Sequence, residues 1–114
     1  MKSTSLLAAA IIVILCFSDP CYSQVQTPRQ TSISGACGGY YEYLPQGYNT
    51  NTTKNYPLII AVHGIGELGN GTTDLGNILN CWTALPRLID NGGFPTSFTV
   101  AGQSFSFIVI SPQF

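Results

Sequence analysis

The residues best suited to chemistry lie in one short stretch, His63-Gly64-Ile65-Gly66-Glu67. Glycine adopts backbone conformations that other residues avoid, so a loop rich in it can turn its N–H groups toward a ligand. Acyl transfer builds negative charge on a carbonyl oxygen, and backbone N–H groups aimed at that oxygen stabilise it. We expect Ile65 to supply such an N–H group, with Gly66 as a second donor. His63, Gly64 and Glu67 are expected to shape the loop.

Other interpretations of this stretch stay open. Glu67 could act as a general acid or base, and a carboxylate that only ties down its own loop is at least as reasonable. Gly64, Gly66 and Gly69 match the G-x-G-x-x-G pattern of nucleotide-binding loops, but the acidic residue expected about 20 residues later on a second strand is not evident. One histidine and scattered carboxylates give no ligand cluster, so we expect no metal site and no cofactor.

Strands must hold this loop in place. The apolar run Leu58–Val62 lies directly before it and is typical of a short strand buried on both faces. Upstream, the residues around Tyr41–Leu44 predict a strand at the edge of the sheet. Downstream, Phe105–Ile110 predicts another strand, which we place beside the first buried strand, after a loop with a small hairpin around Ala101-Gly102.

A helix is expected between these strands. Apolar residues recur at helical spacing from Asp74 to about Trp82, and this stripe, Trp82 included, favours core packing. Thr72 or Thr73 can cap its start. A second short helical turn is expected near Pro86, ended by Asn91-Gly92-Gly93.

The first residues have the layout of a secretory signal peptide. Lys2 precedes the apolar run Leu6–Phe17, and small residues precede a plausible cut before Gln24. An uncleaved N-terminal anchor is the alternative, but the run is short for a membrane span, which needs about 20 residues. We therefore expect residues 1–23 to be a signal, 24–38 a flexible leader and 39–114 the domain. The protein would be secreted or periplasmic, with no stable membrane anchor after cleavage.

Net charge and cysteine content limit the classes of partner and the covalent links that the chain can have. The formal net charge is −1 and no basic stripe is present, so a nucleic-acid partner is not expected. Cys16 and Cys21 would leave with the signal, and Cys37 and Cys81 would either form one disulfide or stay as free thiols. Asn51-Thr52-Thr53 and Asn70-Gly71-Thr72 are sequons for N-glycosylation, which matter only in a eukaryotic secretory route.

A set of short motifs occurs along residues 41–114. They are Tyr43-Leu44-Pro45 with Gly47-Tyr48, Tyr56-Pro57-Leu58-Ile59, His63-Gly64-Ile65-Gly66-Glu67 with Gly69-Asn70-Gly71, Pro86 to Ile89 with Asn91-Gly92, and Phe107-Ile108-Val109 with Ser111-Pro112-Gln113. With them the chain resembles the start of an α/β-hydrolase catalytic domain. It is most similar to secreted esterases and predicted peptidases related to polyhydroxybutyrate depolymerases, feruloyl esterases and prolyl-oligopeptidase-type hydrolases.

This resemblance implies an α/β fold, namely the incomplete N-terminal portion of an α/β-hydrolase sheet with an edge strand, a central strand, a crossover helix and a further strand. It also implies that the His-Gly loop is one half of an oxyanion hole acting on a small-molecule ester or peptide. The family needs a serine on a G-x-S-x-G elbow, then an acid, then a histidine. The sequence has no such elbow, and its only histidine is His63. We therefore expect an N-terminal fragment of an exported serine hydrolase, inactive alone.

A small secreted binding or structural module is the alternative function. Such a module would reuse the strand, loop and helix and would need no catalytic triad. Compact cooperative folding with a bridge between Cys37 and Cys81 would favour it. The sequence does not separate an ester substrate from a peptide.

Overall fold

The computed structural model describes residues 25–114. The predicted signal peptide, residues 1–23, and its cleavage site lie outside the described residues. Within the described part, no helix has the length and apolar character needed to cross a membrane.

Six strands and one short α-helix make up the regular structure of residues 25–114. The strands are β1 (Gln26–Arg29), β2 (Gly39–Tyr43), β3 (Leu58–Ile60), β4 (Phe98–Val100), β5 (Gln103–Phe105) and β6 (Ile108–Gln113). The helix is α1 (Leu85–Asp90), and 3₁₀ turns span Ile65–Glu67 and Leu75–Leu79.

Four of the strands form the main sheet, in the order β1-β2-β6-β3. Strand β2 pairs antiparallel with both β1 and β6, whereas β3 pairs parallel with β6, with Ile59 opposite Val109. Strands β4 and β5 form a separate antiparallel hairpin. The parallel pair places the ends of β3 and β6 at the same edge of the sheet, where the His63–Glu67 loop begins.

The predicted α/β fold, the start of an α/β-hydrolase sheet with a crossover helix, is wrong. The structure consists mainly of two small β-sheets, with one six-residue helix and two 3₁₀ turns. No sheet-plus-helix layer arrangement is present in residues 25–114. The apolar spacing between β3 and β6 predicts more helix than the structure contains in that segment.

The reason lies in the residues between Asp74 and Pro86. Gly76, Asn77 and Asn80 have low helix propensity, so the apolar spacing supports only the 3₁₀ turn Leu75–Leu79. Leu75 and Ile78 are buried as predicted, but Trp82 is 80% exposed, with Arg87 over its ring. The prediction that Trp82 packs in the core is therefore wrong.

The short helix after this break follows ordinary capping rules. Pro86 lies in the first turn of α1, where its missing N–H has no partner to lose. Gly92 has a positive φ of 71° and ends the helix, and the N–H of Gly93 donates to Leu88 O. The predicted stop at Asn91-Gly92-Gly93 is confirmed.

The strand positions also differ from the prediction. Strand β3 is an edge strand, and its side chains Leu58 and Ile60 are exposed, so it is not buried on both faces. Strand β2, expected at the edge, lies between β1 and β6 because β1 pairs with its outer side. Strand β1 falls inside residues 24–38, the segment predicted to be a flexible leader.

Two predicted features agree with the structure. The strand predicted over Phe105–Ile110 is correct in its second half, since residues 108–110 of β6 pair with Leu58–Ile60 as expected, whereas Phe105 ends β5 and residues 106–107 lie in no strand. The predicted hairpin is β4–β5, whose turn residues Ala101 and Gly102 both have positive φ. That geometry is typical of the two-residue turns that join antiparallel strands.

The core lies on one face of the main sheet. Tyr43, Val109, Ile89 of α1 and Phe94 form its buried cluster. The loop after β3 also packs closely against the start of β2, where a Cβ on Gly39 would lie 1.9 Å from Gly71 O. Only glycine allows this approach of two backbones, and it fixes the loop against the sheet.

Candidate functional site

The candidate site is the loop that leaves the end of β3. Ala61 N–H donates to Ile110 O of β6 at 2.9 Å, which extends the parallel pairing by one residue. Gly64 has extended backbone angles of φ −84° and ψ 179°, and the 3₁₀ turn Ile65–Glu67 follows it. A single Glu67 N–H to Gly64 O bond of 3.2 Å closes this turn. The loop is therefore a defined turn at the sheet edge.

Glu67 ties the turn to its own beginning. Its Oε2 accepts a hydrogen bond of 2.6 Å from Gly64 N–H. A carboxylate at this position satisfies one of the N–H groups that the start of a helical turn leaves free. In this arrangement, the carboxylate is occupied in holding the loop.

His63 links the loop to the end of β6. Its Nε2 accepts the N–H of Phe114 at 3.0 Å, and its Nδ1 lies 2.7 Å from Gly64 O. Because a carbonyl oxygen only accepts and a backbone N–H only donates, the neutral tautomer with hydrogen on Nδ1 fits both contacts. Both ring nitrogens of His63 are thus used in holding backbone groups.

Gln113, near the end of β6, binds the loop through its side-chain amide. This side chain is fully buried at 0% exposure. Its Nε2 donates to Glu67 O at 2.9 Å and to Asp74 O at 2.8 Å, and its Oε1 accepts from Gly71 N–H at 2.9 Å. A single amide therefore joins three points of the loop to strand β6.

The turn leaves two adjacent N–H groups without a partner in the described chain. The hydrogen bonds of residues 25–114 use the N–H groups of Gly64 and Glu67, and none of them uses the N–H groups of Ile65 and Gly66. The side chain of Ile65 is 89% exposed, and Gly66 is also on the surface. Two adjacent unpaired donors on a braced, exposed turn can bind an oxygen atom that carries negative charge.

Asn70 holds the segment before the next turn. The N-cap of that turn is Asp74, with no side-chain cap bond, so the predicted cap by Thr72 or Thr73 is wrong. Its Oδ1 accepts from Thr72 N–H at 2.8 Å and from Asp74 N–H at 3.2 Å, and its Nδ2 donates to Thr73 Oγ1 at 2.7 Å. Asparagine is a favoured residue for such local bonds. These bonds orient the segment that leads from the loop to the 3₁₀ turn Leu75–Leu79.

The sequence pattern places residues 63–67 together but indicates no role for Gln113 or Asn70 in shaping the loop. A signal for Gln113 was available in the strand alternation, since Val109, Ser111 and Gln113 lie on one buried face of β6. A glutamine on that face needs buried hydrogen-bond partners, and the neighbouring loop is where they lie.

The two cysteines do not form a bridge. Cys37 and Cys81 are both free thiols. Cys37 is buried, and its Sγ lies 3.5 Å from Gly39 O, whereas Cys81 is partly exposed and its Sγ lies 3.6 Å from Thr83 Oγ1. The hydrogen bond from Thr83 is the main cause that lowers the pKa of the Cys81 thiol.

Within residues 25–114, no three His, Cys, Asp or Glu residues come together in a way that could hold a metal ion.

Comparison of the chain with protein-family models finds no match, and comparison with curated protein sequences finds none. These two comparisons therefore assign the chain to no family.

Proposed function

We propose that the His63–Glu67 loop stabilises the oxyanion in an acyl-transfer reaction of the serine-hydrolase type, acting on an ester or a peptide. The observation that supports this most directly is the pair of adjacent, unpartnered N–H groups on Ile65 and Gly66. The bonds made by Glu67, His63 and Gln113 fix the backbone around these donors. Donors that are already in place lower the barrier because they need no reorganisation when charge develops.

The chemistry assigned to this loop is limited to one part of the reaction. A nucleophile adds to the substrate carbonyl, the C=O electron pair moves to oxygen, and the two N–H groups donate to that oxygen. Collapse of the tetrahedral intermediate restores C=O and expels the alcohol or amine, which takes up the proton that the base removed from the nucleophile. His63 has no role in proton transfer here, since both of its ring nitrogens hold backbone groups.

The nucleophile and its base are not among these 114 residues, which contain no G-x-S-x-G and no second histidine. We expect the chain by itself to be inactive toward esters and peptides. The proposed function therefore requires residues encoded elsewhere in the same reading frame.

Sequencing the gene and its transcript beyond the Phe114 codon tests this requirement. We expect the frame to continue into a G-x-S-x-G and then an acidic residue and a histidine, in that order. A stop codon directly after Phe114 would contradict the proposed function. It would favour the alternative, a non-catalytic binding module.

The oxyanion role itself is tested by Ile65→Pro in the complete gene product. Proline removes the Ile65 N–H, and the site suits proline because Ile65 begins a turn and Gly64 before it is extended. We expect kcat to fall by about 100- to 1,000-fold, as for loss of one oxyanion donor.

Ile65→Ala is the matched control. It removes the same exposed side chain but keeps the N–H, so turnover should stay within about twofold if the backbone donor is what matters. Equal losses in both variants would assign the effect to the side chain. Unchanged turnover in Ile65→Pro would remove Ile65 from the site.

A further inference from the structure

The two asparagine sequons, 51–53 and 70–72, occupy different environments. A glycan is bulky and hydrophilic, so the folded chain can carry one only on an asparagine that lies at the surface with room around its amide nitrogen. The side-chain hydrogen bonds of Asn51 and Asn70 differ in this respect, and so does the packing of the residues that follow them.

Asn70 is built into the loop of the candidate site. Its Nδ2 donates to Thr73 Oγ1 at 2.7 Å, and its Oδ1 accepts three hydrogen bonds, from Thr72 N–H, Thr72 Oγ1 and Asp74 N–H. The next residue, Gly71, is buried against Gly38 and Gly39. A glycan on Asn70 would disturb these hydrogen bonds and crowd the packing of Gly71 against Gly38 and Gly39.

Asn51 lies in the exposed loop 46–55. Its Oδ1 accepts a hydrogen bond of 3.2 Å from Thr53 Oγ1, the hydroxyl at the third position of the sequon. No hydrogen bond within residues 25–114 uses its Nδ2. The amide nitrogen that would receive the sugar is thus free and on the surface.

An aromatic surface lies beside Asn51. Tyr48 and Tyr56 have ring centroids 5.6 Å apart, and Lys54 Nζ lies 4.9 Å from the centre of the Tyr56 ring. With Asn51 they line an open depression of about 340 Å³. The electron-rich face of an exposed ring attracts the C–H groups on the apolar face of a sugar. The first sugar on Asn51 therefore has an aromatic surface within reach.

We propose that Asn51 is an N-glycosylation site, that Asn70 is not, and that the first sugar on Asn51 packs against Tyr48. The donor is a lipid-pyrophosphate-linked oligosaccharide. Asn51 Nδ2 forms a bond to the anomeric carbon and loses one proton. The bond from that carbon to the pyrophosphate oxygen breaks, and the lipid pyrophosphate leaves with the electron pair. This inference is independent of the hydrolase assignment.

The test is translation of the full 114-residue chain, with an added cleavable signal in front, in the presence of endoplasmic-reticulum microsomes. The added signal makes entry independent of residues 1–23, and protease protection identifies the chains that entered. Removal of the glycan by peptide N-glycosidase in ¹⁸O-water then labels the modified asparagine for mass spectrometry. We expect the label at Asn51 alone.

Matched variants sharpen the result. Attachment of a glycan slows the chain in gel electrophoresis. Asn51→Gln and Thr53→Ala should abolish this shift, whereas Asn70→Gln should leave it unchanged and Thr53→Ser should retain it. Label at Asn70, or protected chains that carry no glycan, would overturn the assignment of Asn51.

The packing on Tyr48 is tested by thermal unfolding. Trimming with an endoglycosidase that leaves one N-acetylglucosamine should give a Tm several degrees above that of Asn51→Gln. In Tyr48→Ser, we expect the same comparison to show no difference. If the sugar raises Tm equally with and without the tyrosine ring, it does not pack there.

Discussion

His63 is a residue type suited to catalysis, but both of its ring nitrogens contact backbone groups. Its Nε2 accepts Phe114 N–H and its Nδ1 contacts Gly64 O. To take a proton from a nucleophile, the ring would have to release Phe114 N–H, which would then lack a partner. In this structure, the histidine of the His-Gly pair shapes the loop.

The thiol of Cys81 should be the more reactive of the two described cysteines. Thr83 Oγ1, 3.6 Å from its Sγ, lowers its pKa, and the side chain is partly exposed, whereas Cys37 is buried. The thiolate is the reactive form, so alkylation rises with pH and a lowered pKa moves that rise to lower pH. We expect iodoacetamide to modify Cys81 first, as measured by mass spectrometry over time and pH.

Thr83→Val is the control for this effect. It keeps the shape of the side chain but removes the hydroxyl, so the alkylation profile of Cys81 should move to higher pH. A profile that is identical in both proteins would show that Thr83 does not tune the thiol.

At the scale of elements, strand β6 organises the loop through Gln113. Gln113→Leu removes the bonds to Glu67 O, Asp74 O and Gly71 N–H and leaves the buried Gly71 N–H without a partner. Leaving such groups unsatisfied costs about 3 kcal/mol in the free energy of unfolding. Urea unfolding followed by circular dichroism measures this change.

Gln103→Leu is the same substitution on the exposed strand β5. It should change the free energy of unfolding by no more than about 0.5 kcal/mol. A similar loss in both variants would mean that the buried amide adds nothing to stability.

Local patterns predicted some elements and not others. The hairpin at Ala101-Gly102 and the helix stop at Gly92 depend on neighbouring residues, and the sequence predicts both. The helix predicted over residues 74–82 is wrong because the residues between the apolar positions have low helix propensity, which the apolar spacing alone does not show. The residues of the loop were found because they are adjacent. Its anchor Gln113 contributes bonds that span 39 to 46 residues, which no local pattern shows.

At the scale of the whole molecule, one face of the main sheet is apolar and exposed. Leu58, Ile60 and Val62 alternate along the edge strand β3 and the residue positions after it, with exposures of 56%, 61% and 69%. Ile108 and Ile110 of β6 lie beside them and are only half-buried. The prediction of a strand buried on both faces was wrong for the described chain, although its apolar composition was correctly recognised.

An apolar edge strand with free backbone groups promotes pairing with another chain. We expect the purified protein to self-associate as its concentration rises and Ile60→Lys to reduce this, because lysine at a sheet edge opposes strand addition. Sedimentation velocity over a range of concentrations measures the effect.

Val100→Lys provides the comparison, since Val100 is an equally exposed apolar residue on β4 of the hairpin. This substitution should leave self-association unchanged. If both lysines reduce it equally, net charge is responsible and the β3 edge is not.

The bonds from β6 to the loop also set an order in time. The hydrogen-bond partner of Gly71 is Gln113, 42 residues later in the chain, and that of His63 is Phe114, 51 residues later. Both partners are synthesised after the loop. At the usual pace of ribosomes, this corresponds to about two to ten seconds after each loop residue is made. During that interval the nascent chain has the loop's residues but not its shape. Whatever the loop binds, it becomes competent only once β6 has left the ribosome and docked.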